Sequence, residues 1–341
     1  MANRRVRVAA FGEVMMRLQV PGYELLSQAD SLRYSFSGTG VNVGAALARF
    51  GHESFLITRL PDNSLGDAAA ANLRKLGLSL DYAVRGGHYL GMYFLENGFG
   101  ARPSRVTYSN RQESSFNTGP SDAYDYEAIA AGIDLVHFCG ITLAMNDAVR
   151  GHMLQLANAI KARGGTVVFD CNYRPAHWGE NGYAKAKRHY EQMLALADIV
   201  MMNERDMIHI LGMTTDKTDR LEQLTELIPA VASRFGISVI AGTHRTIHGD
   251  NQHSLLGFLY KNGVFSFAGP RTFAVYDRIG AGDAFASGII HGELSAFEPE
   301  RTVRFATAAA MLAHTVSGDT PMSGEGEILL AVKDANGDVI R

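Results

Sequence analysis

The sequence predicts a doubly wound α/β fold, a mostly parallel β-sheet flanked by helices on both faces, with a small accessory β-sheet as a lid. Three observations carry this. Short, almost wholly apolar runs recur along the chain: VRVAAFG, SFLITRL, LVHFCGI, TVVFDCN, DIVMMNE and ISVIAGT. Such runs suit parallel strands buried on both sides. Segments with helical periodicity separate them, and strand–helix alternation over most of a chain builds this class of sheet. Two aromatic, alternating stretches break the rhythm and supply the lid.

Taken in order, RVRVAAFGE reads as a first buried strand; its basic start resembles a signal peptide only faintly, because Glu13 interrupts the apolar run. YELLSQADSLRYSFSG and GHYLGMYFLENGFGARPSRVTYSNRQES carry Asn-Gly and Gly-x-x-Pro turn signals. They read as lid strands outside the main sheet, inserted at about 14–37 and 89–116. Strands inserted between core strands suit a cover for a site at the strand ends. VNVGAALARFG reads as a helix closed by Gly51, and RGHMLQLANAIKARGG stops in the same way at Gly164. SLLGFLYKNGVFSFAG is a hairpin turning at Asn262-Gly263. No repeat, low-complexity linker or clean boundary divides the chain, so residues 1–341 are expected to form a single domain.

Composition narrows the function classes. Of 341 residues, 46% are hydrophobic and 20% charged, enough for a large core. A net charge of -3 leaves no basic footprint for nucleic acid, so a small-molecule partner is expected. Cys139 and Cys171 stand far apart and outside any C-x-x-C spacing, which argues against a disulfide framework or a structural zinc site and fits a reducing compartment. No apolar run is long enough to span a membrane. The expectation is a cytoplasmic protein.

The chemistry concentrates in VYDRIGAGDAFASGIIHGE. Gly280 and Gly282 let backbone amides converge without β-carbons in the way, and the helix that follows adds its positive end. That makes a place for a phosphate. Asp283 beside it has a use if a hydroxyl must lose its proton while attacking that phosphate. Alone, the motif would also fit a plain glycine turn whose Asp stabilises its helix. GTGVNVG, residues 38–44, matches a loose dinucleotide fingerprint with Asp62 downstream. The strand preceding it is polar, however, and a dehydrogenase reading leaves the Gly280 motif unexplained. His244 and His248 lack a third ligand at metal-binding spacing.

DRIGAGDAFASG, paired with FSGTGVNVGAALARFG, resembles the two signatures of the PfkB (ribokinase-like) carbohydrate kinase family. The resemblance runs over nearly the whole chain and implies a ribokinase-like fold and an ATP-dependent sugar kinase. It implies that Gly280, Ala281 and Gly282 form the anion hole, that Asp283 is the catalytic base, and that Gly38 and Asn42 meet the sugar. Asp277-Arg278-Ile279 departs from the family's usual Asp-Thr-x. MMNERDM resembles the family's Asn-x-x-Glu, which implies that Asn203, with Asp206 or Glu204, organises Mg2+ through water. AGTHRTIHGDN stands where the family commonly has a T-x-G-x-x-G loop, and the resemblance implies Thr243 and Arg245 near the nucleotide. A monovalent cation such as K+ near Asp277 is left open.

VVFDCNYRPAHW resembles the D-x-N-x-R-x-x-x-W segment of 2-keto-3-deoxygluconate kinases, with Asp170, Asn172 and Arg174 at a strand end. That resemblance implies Asn172 toward the nucleotide and Tyr93, Tyr108, Arg111, Arg174 and Asp319 toward a sugar acid. Arg174 and Arg111 can each pair a carboxylate bidentately, which a neutral sugar does not need. The implied reaction is phosphorylation of the 6-hydroxyl of 2-keto-3-deoxygluconate. Fructose, 5-dehydro-2-deoxygluconate and a non-catalytic sugar- or nucleotide-binding regulator remain as alternatives. In the kinases this chain resembles, exposed lid strands often pair between subunits, and the resemblance implies a homo-oligomer.

Overall fold

The six apolar runs lie side by side as six parallel strands. The computed structural model describes residues 6–249 and 251–333. In chain order the elements are β1 (Arg7–Phe11), β2 (Met15–Gln19), β3 (Arg33–Ser37), α1 (Thr39–Arg49), β4 (Glu53–Leu60), α2 (Ser64–Lys75), β5 (Ala83–Arg85), β6 (Gly91–Glu96) and β7 (Arg105–Ser109). There follow α3 (Tyr126–Gly132), β8 (Leu135–Cys139), α4 (Gly140–Leu143), α5 (Asp147–Ala162), β9 (Thr166–Asp170), α6 (Gly182–Leu194), β10 (Ile199–Met201) and α7 (Arg220–Phe235). Then come β11 (Val239–Ile247), β12 (Gln252–Lys261), β13 (Val264–Ala274), α8 (Ala281–Leu294), α9 (Pro299–Ala313) and α10 (Glu325–Val332).

The main sheet has the order β13-β12-β11-β10-β9-β8-β1-β4-β5. From β11 to β5 every pairing is parallel, and β12 and β13 add an antiparallel edge. Alternate residues of each strand serve opposite faces. Ala9, Phe11, Val167 and Phe169 pack toward α5, α6 and α7. Val8, Val168, Met201 and Ala241 pack toward α1, α8 and α9. The β12–β13 hairpin turns at Asn262 (φ 53) and Gly263 (φ 80), the two left-handed positions that a type I′ turn requires.

The interrupting segments form a separate sheet, β3-β2-β6-β7. β2 pairs antiparallel with β3 and parallel with β6, which pairs antiparallel with β7. Tyr23 to Asp30 within the first segment is loop and turn, not strand. The stretch AGTHRTIHGDN also differs from a loop: β11 runs on to Ile247, paired with β12. Among the described residues no helix is long and apolar enough to cross a membrane.

One core residue sets a pH limit on stability. His137, on β8, is fully buried, and neither ring nitrogen has a hydrogen-bond partner among the described residues. Burial lowers its pKa from 6.5 to about 4. The unfolded chain therefore takes the proton first, and stability should fall as pH drops from 6.5 toward 4. Denaturant titrations at pH 7 and pH 4.5 should differ by on the order of 2 kcal/mol from this residue alone. In His137→Leu that share of the difference should vanish; an unchanged difference would show that the ring is solvated or paired.

Candidate active site

The carboxyl ends of β9, β10 and β11, the first turns of α1 and α8, and the inner side of the lid enclose a cavity of 910 Å³. Ligands bind at this end of parallel sheets because loops and helix N-termini converge there. Gly280 is left-handed (φ 84), and α8 starts at Ala281 with no side chain capping its first turn. Gly280, Ala281 and Gly282 all line the cavity. A β-carbon on Gly280 would overlap the Asp319 carbonyl oxygen, whereas one on Gly282 would meet nothing within 4 Å. The turn thus offers amides and open space to an anion.

Asp283 follows, buried at 6% exposure, and its Oδ2 accepts the Asn42 side-chain N–H at 2.7 Å. Thr320 Oγ1 donates to Asn42 Oδ1 at 3.2 Å, so the amide is held at both ends. Burial pushes the Asp283 carboxyl up to about 7, against the Asn42 bond and the Arg174 charge. A carboxyl poised there can take a proton near neutral pH.

Two further carboxyls share the cavity. Burial raises Asp170 to about 7, and the Asp283 charge adds to the rise. Burial raises Asp206 to about 7 as well, opposed by the Asn203 backbone N–H that its Oδ2 accepts at 2.9 Å. Asn203 and Asp206 both line the cavity, which fits a divalent cation reached through water. Glu204 does not. Its carboxylate lies outside the lining, between Arg220 Nε (2.6 Å) and His244 Nε2 (2.8 Å). Burial would raise it, but those two hydrogen bonds, a backbone hydrogen bond and the His244 charge together bring it down to about 2.

The family model for pfkB family carbohydrate kinases matches residues 6–324. The chain belongs to the pfkB family of carbohydrate kinases. Its backbone superposes on a Thermotoga maritima 2-dehydro-3-deoxygluconokinase with a TM-score of 0.92, at 32% identity, covering 96% of this chain and 100% of that one. An Enterococcus faecalis protein, provisionally named a 2-keto-3-deoxygluconate kinase, gives 0.94 at 41% identity over 98% and 99%. A 2-dehydro-3-deoxygalactonokinase of Haloferax volcanii is 28% identical over 98% of this chain and 99% of its own.

In this pfkB kinase the lid brings Tyr93 and Tyr108 to the cavity as cross-strand partners on β6 and β7. Asn172, Arg174, Thr243 and Arg245 line it from the strand ends. Gly38 lines it too, but its first constraint is internal. At φ 153 a β-carbon there would overlap the Glu13 carbonyl oxygen. Asp319 reaches the lining with its carboxylate already engaged by Arg17, Ser37 and Tyr93.

Arg111 departs from the expectation. It is outside the lining and buried, with Nε on Glu13 Oε2 at 2.9 Å and Nη1 against His177 Nε2 at 3.0 Å. Glu13 is itself buried; burial raises its carboxyl, and Arg111, Ser114 and Asn117 oppose the rise. The Arg111 guanidinium balances an internal charge, so it is not displayed to a ligand. Asp170, noted at its strand end but given no role, is on the lining; sequence reasoning missed Arg278, also on the lining, and the buried Arg17, which pairs with Asp277. The departure from Asp-Thr-x was the available signal for Arg278. Burial lowers the Arg245 pKa, and the Arg278 and Arg174 charges add to the effect, so the three guanidinium groups act on one another across the cavity.

Proposed function

We propose that this carbohydrate kinase transfers the γ-phosphoryl group of ATP to the 6-hydroxyl of a sugar acid, 2-keto-3-deoxygluconate. Arg174 carries the sugar-acid part. It lines the cavity, and among the described residues its guanidinium makes only a long hydrogen bond, to the Tyr173 carbonyl at 3.4 Å. A cation without an ion-pair partner facing a ligand cavity suits a carboxylate. The names of the Thermotoga, Enterococcus and Haloferax relatives, all kinases of 2-keto-3-deoxy sugar acids, support the same substrate class.

In this reading Gly38, Asn42, Tyr93, Tyr108, Arg174 and Asp319 surround the sugar acid. Asn172, Asn203, Thr243, Arg245, Gly280 and Gly282 hold the nucleotide, and Asn203 and Asp206 meet Mg2+ through water. Bound ATP supplies the phosphoryl group, and Mg2+ offsets its charge. Asp283 accepts the hydroxyl proton as the oxygen attacks. The amides at the start of α8 receive the charge that develops on the phosphate oxygens. The lid excludes water as a competing acceptor. Arg17 already neutralises Asp277 at 2.8 Å, so the reading places no potassium ion there. Pairing of two copies through the lid belongs to the same proposal, supported by the exposed Leu32 and Tyr34.

A panel of sugars in a coupled ADP-release assay tests the substrate. Turnover is expected with 2-keto-3-deoxy sugar acids and little with neutral ketoses. Arg174→Met should raise KM for the sugar acid about 10²-fold, the weight of a lost charged pair. An unchanged KM, or no turnover with any such acid, would overturn the assignment.

A further inference from the structure

Arg17 stands outside the cavity lining, yet among the described residues it is the largest fully buried side chain, 1% exposed. It rises from β2, an inner strand of the lid. Its Nη2 is 2.8 Å from Asp277 Oδ2 and 2.7 Å from Gln19 Oε1, and its Nη1 pairs with Asp319 Oδ1. Neither acid belongs to the lid. Asp277 lies between β13 and α8 and caps backbone: Oδ1 accepts the Ile279 N–H at 3.1 Å and Oδ2 the Gly318 N–H at 3.3 Å. Asp319 lies beyond α9, and its Oδ2 accepts from Ser37 Oγ at 2.8 Å and from the Tyr93 hydroxyl.

Three lid strands thus converge on the two segments that flank the Gly280 turn: β2 through Arg17, β3 through Ser37 and β6 through Tyr93. The turn has no slack against them, since the Asp319 carbonyl fills the space beside Gly280. We infer that Arg17 is a positioning residue for phosphoryl transfer, fixing the lid and the anion-binding turn in one geometry. A guanidinium is required because its planar fork serves two different carboxylates at once, which a single ammonium cannot do in the same geometry. Burial makes the link stiff, because separating the charges would leave two carboxylates unpaired in the interior. The inference rests on the proposed transfer at that turn.

Arg17→Lys keeps the charge and loses the fork. The variant should fold, bind ATP as tightly as the unaltered protein, and lose about 10²-fold in kcat, the weight of a small misplacement of reacting groups. The ratio of ADP formed to sugar phosphate should rise above one as water enters under a loosened lid. In the ligand-free protein, amide hydrogen exchange should rise together in residues 15–19 and 276–282. Should Arg17→Lys fail to fold, Arg17→Gln with Asp277→Asn preserves the charge balance and carries the same readouts. Unchanged kcat and coupling ratio, or faster exchange in the lid alone, would overturn the inference. If the unaltered protein turns over no sugar acid, the proposed function fails, and the exchange readout alone still decides the role of Arg17.

Discussion

Asp283→Asn should leave ATP binding intact and slow phosphoryl transfer by about 10² to 10⁴-fold, the usual contribution of a positioned base. The amide keeps the size of the carboxyl but cannot take the hydroxyl proton. Isothermal titration with ATP and single-turnover transfer to the sugar acid separate the two effects. The unaltered enzyme should show an acid limb in kcat/KM near pH 7, because burial holds Asp283 at about 7 and only its ionised form accepts a proton. Activity is then present above that value and lost below it. Asp170 rises with Asp283 and feels its charge, so the limb belongs to the pair. Arg174 pulls Asp283 down, so Arg174→Met should move the limb to higher pH. A full-rate Asp283→Asn enzyme would remove the base from the mechanism.

Gly282→Ala should separate stability from activity. Gly282 is helical, and a β-carbon there meets nothing within 4 Å, so the substitution is expected to stabilise the fold by about 0.5–1 kcal/mol. The same methyl group would project where the phosphate must approach the amides, and transfer should fall by about 10² or more. Gly280→Ala should lose both. Its φ of 84 and the Asp319 carbonyl leave no room for a side chain, so melting temperature and kcat should drop together. Thermal melts beside steady-state kinetics decide the matter. A Gly282→Ala enzyme with unaltered kcat would mean that the phosphate does not use this turn.

The main sheet was legible because its strands are buried on both faces, and VRVAAFG or TVVFDCN can hardly be anything else. The Gly280 turn was legible because its chemistry is contiguous: amides, helix start and Asp283 follow one another in the chain. Pairings between distant charges were not. Arg111 carries the residue type that suits a substrate carboxylate, yet Glu13, 98 residues earlier, takes its Nε. Glu204 and Asp206 sit two residues apart, and only the local backbone decides which one faces the cavity. It folds Asp206 back onto the Asn203 amide and sends Glu204 toward Arg220 and His244. Arg17 escaped notice because an arginine beside Met15 and Met16 looks like a strand's solvent side. In β2 it shares its face with the buried Met15, so the alternation held the signal once the strand was placed.

The bond from Asn42 to Oδ2 of Asp283 has a consequence for which alcohol reacts. With one acceptor site of that oxygen taken by a held amide, the carboxylate plane is fixed. A polyhydroxy acid brings several alcohols of similar intrinsic reactivity. In the proposed mechanism the alcohol that reacts is the one that meets this carboxylate and phosphorus in line. Regiochemistry in that mechanism would then depend in part on Thr320, which lies outside the cavity lining and donates to the Asn42 amide oxygen.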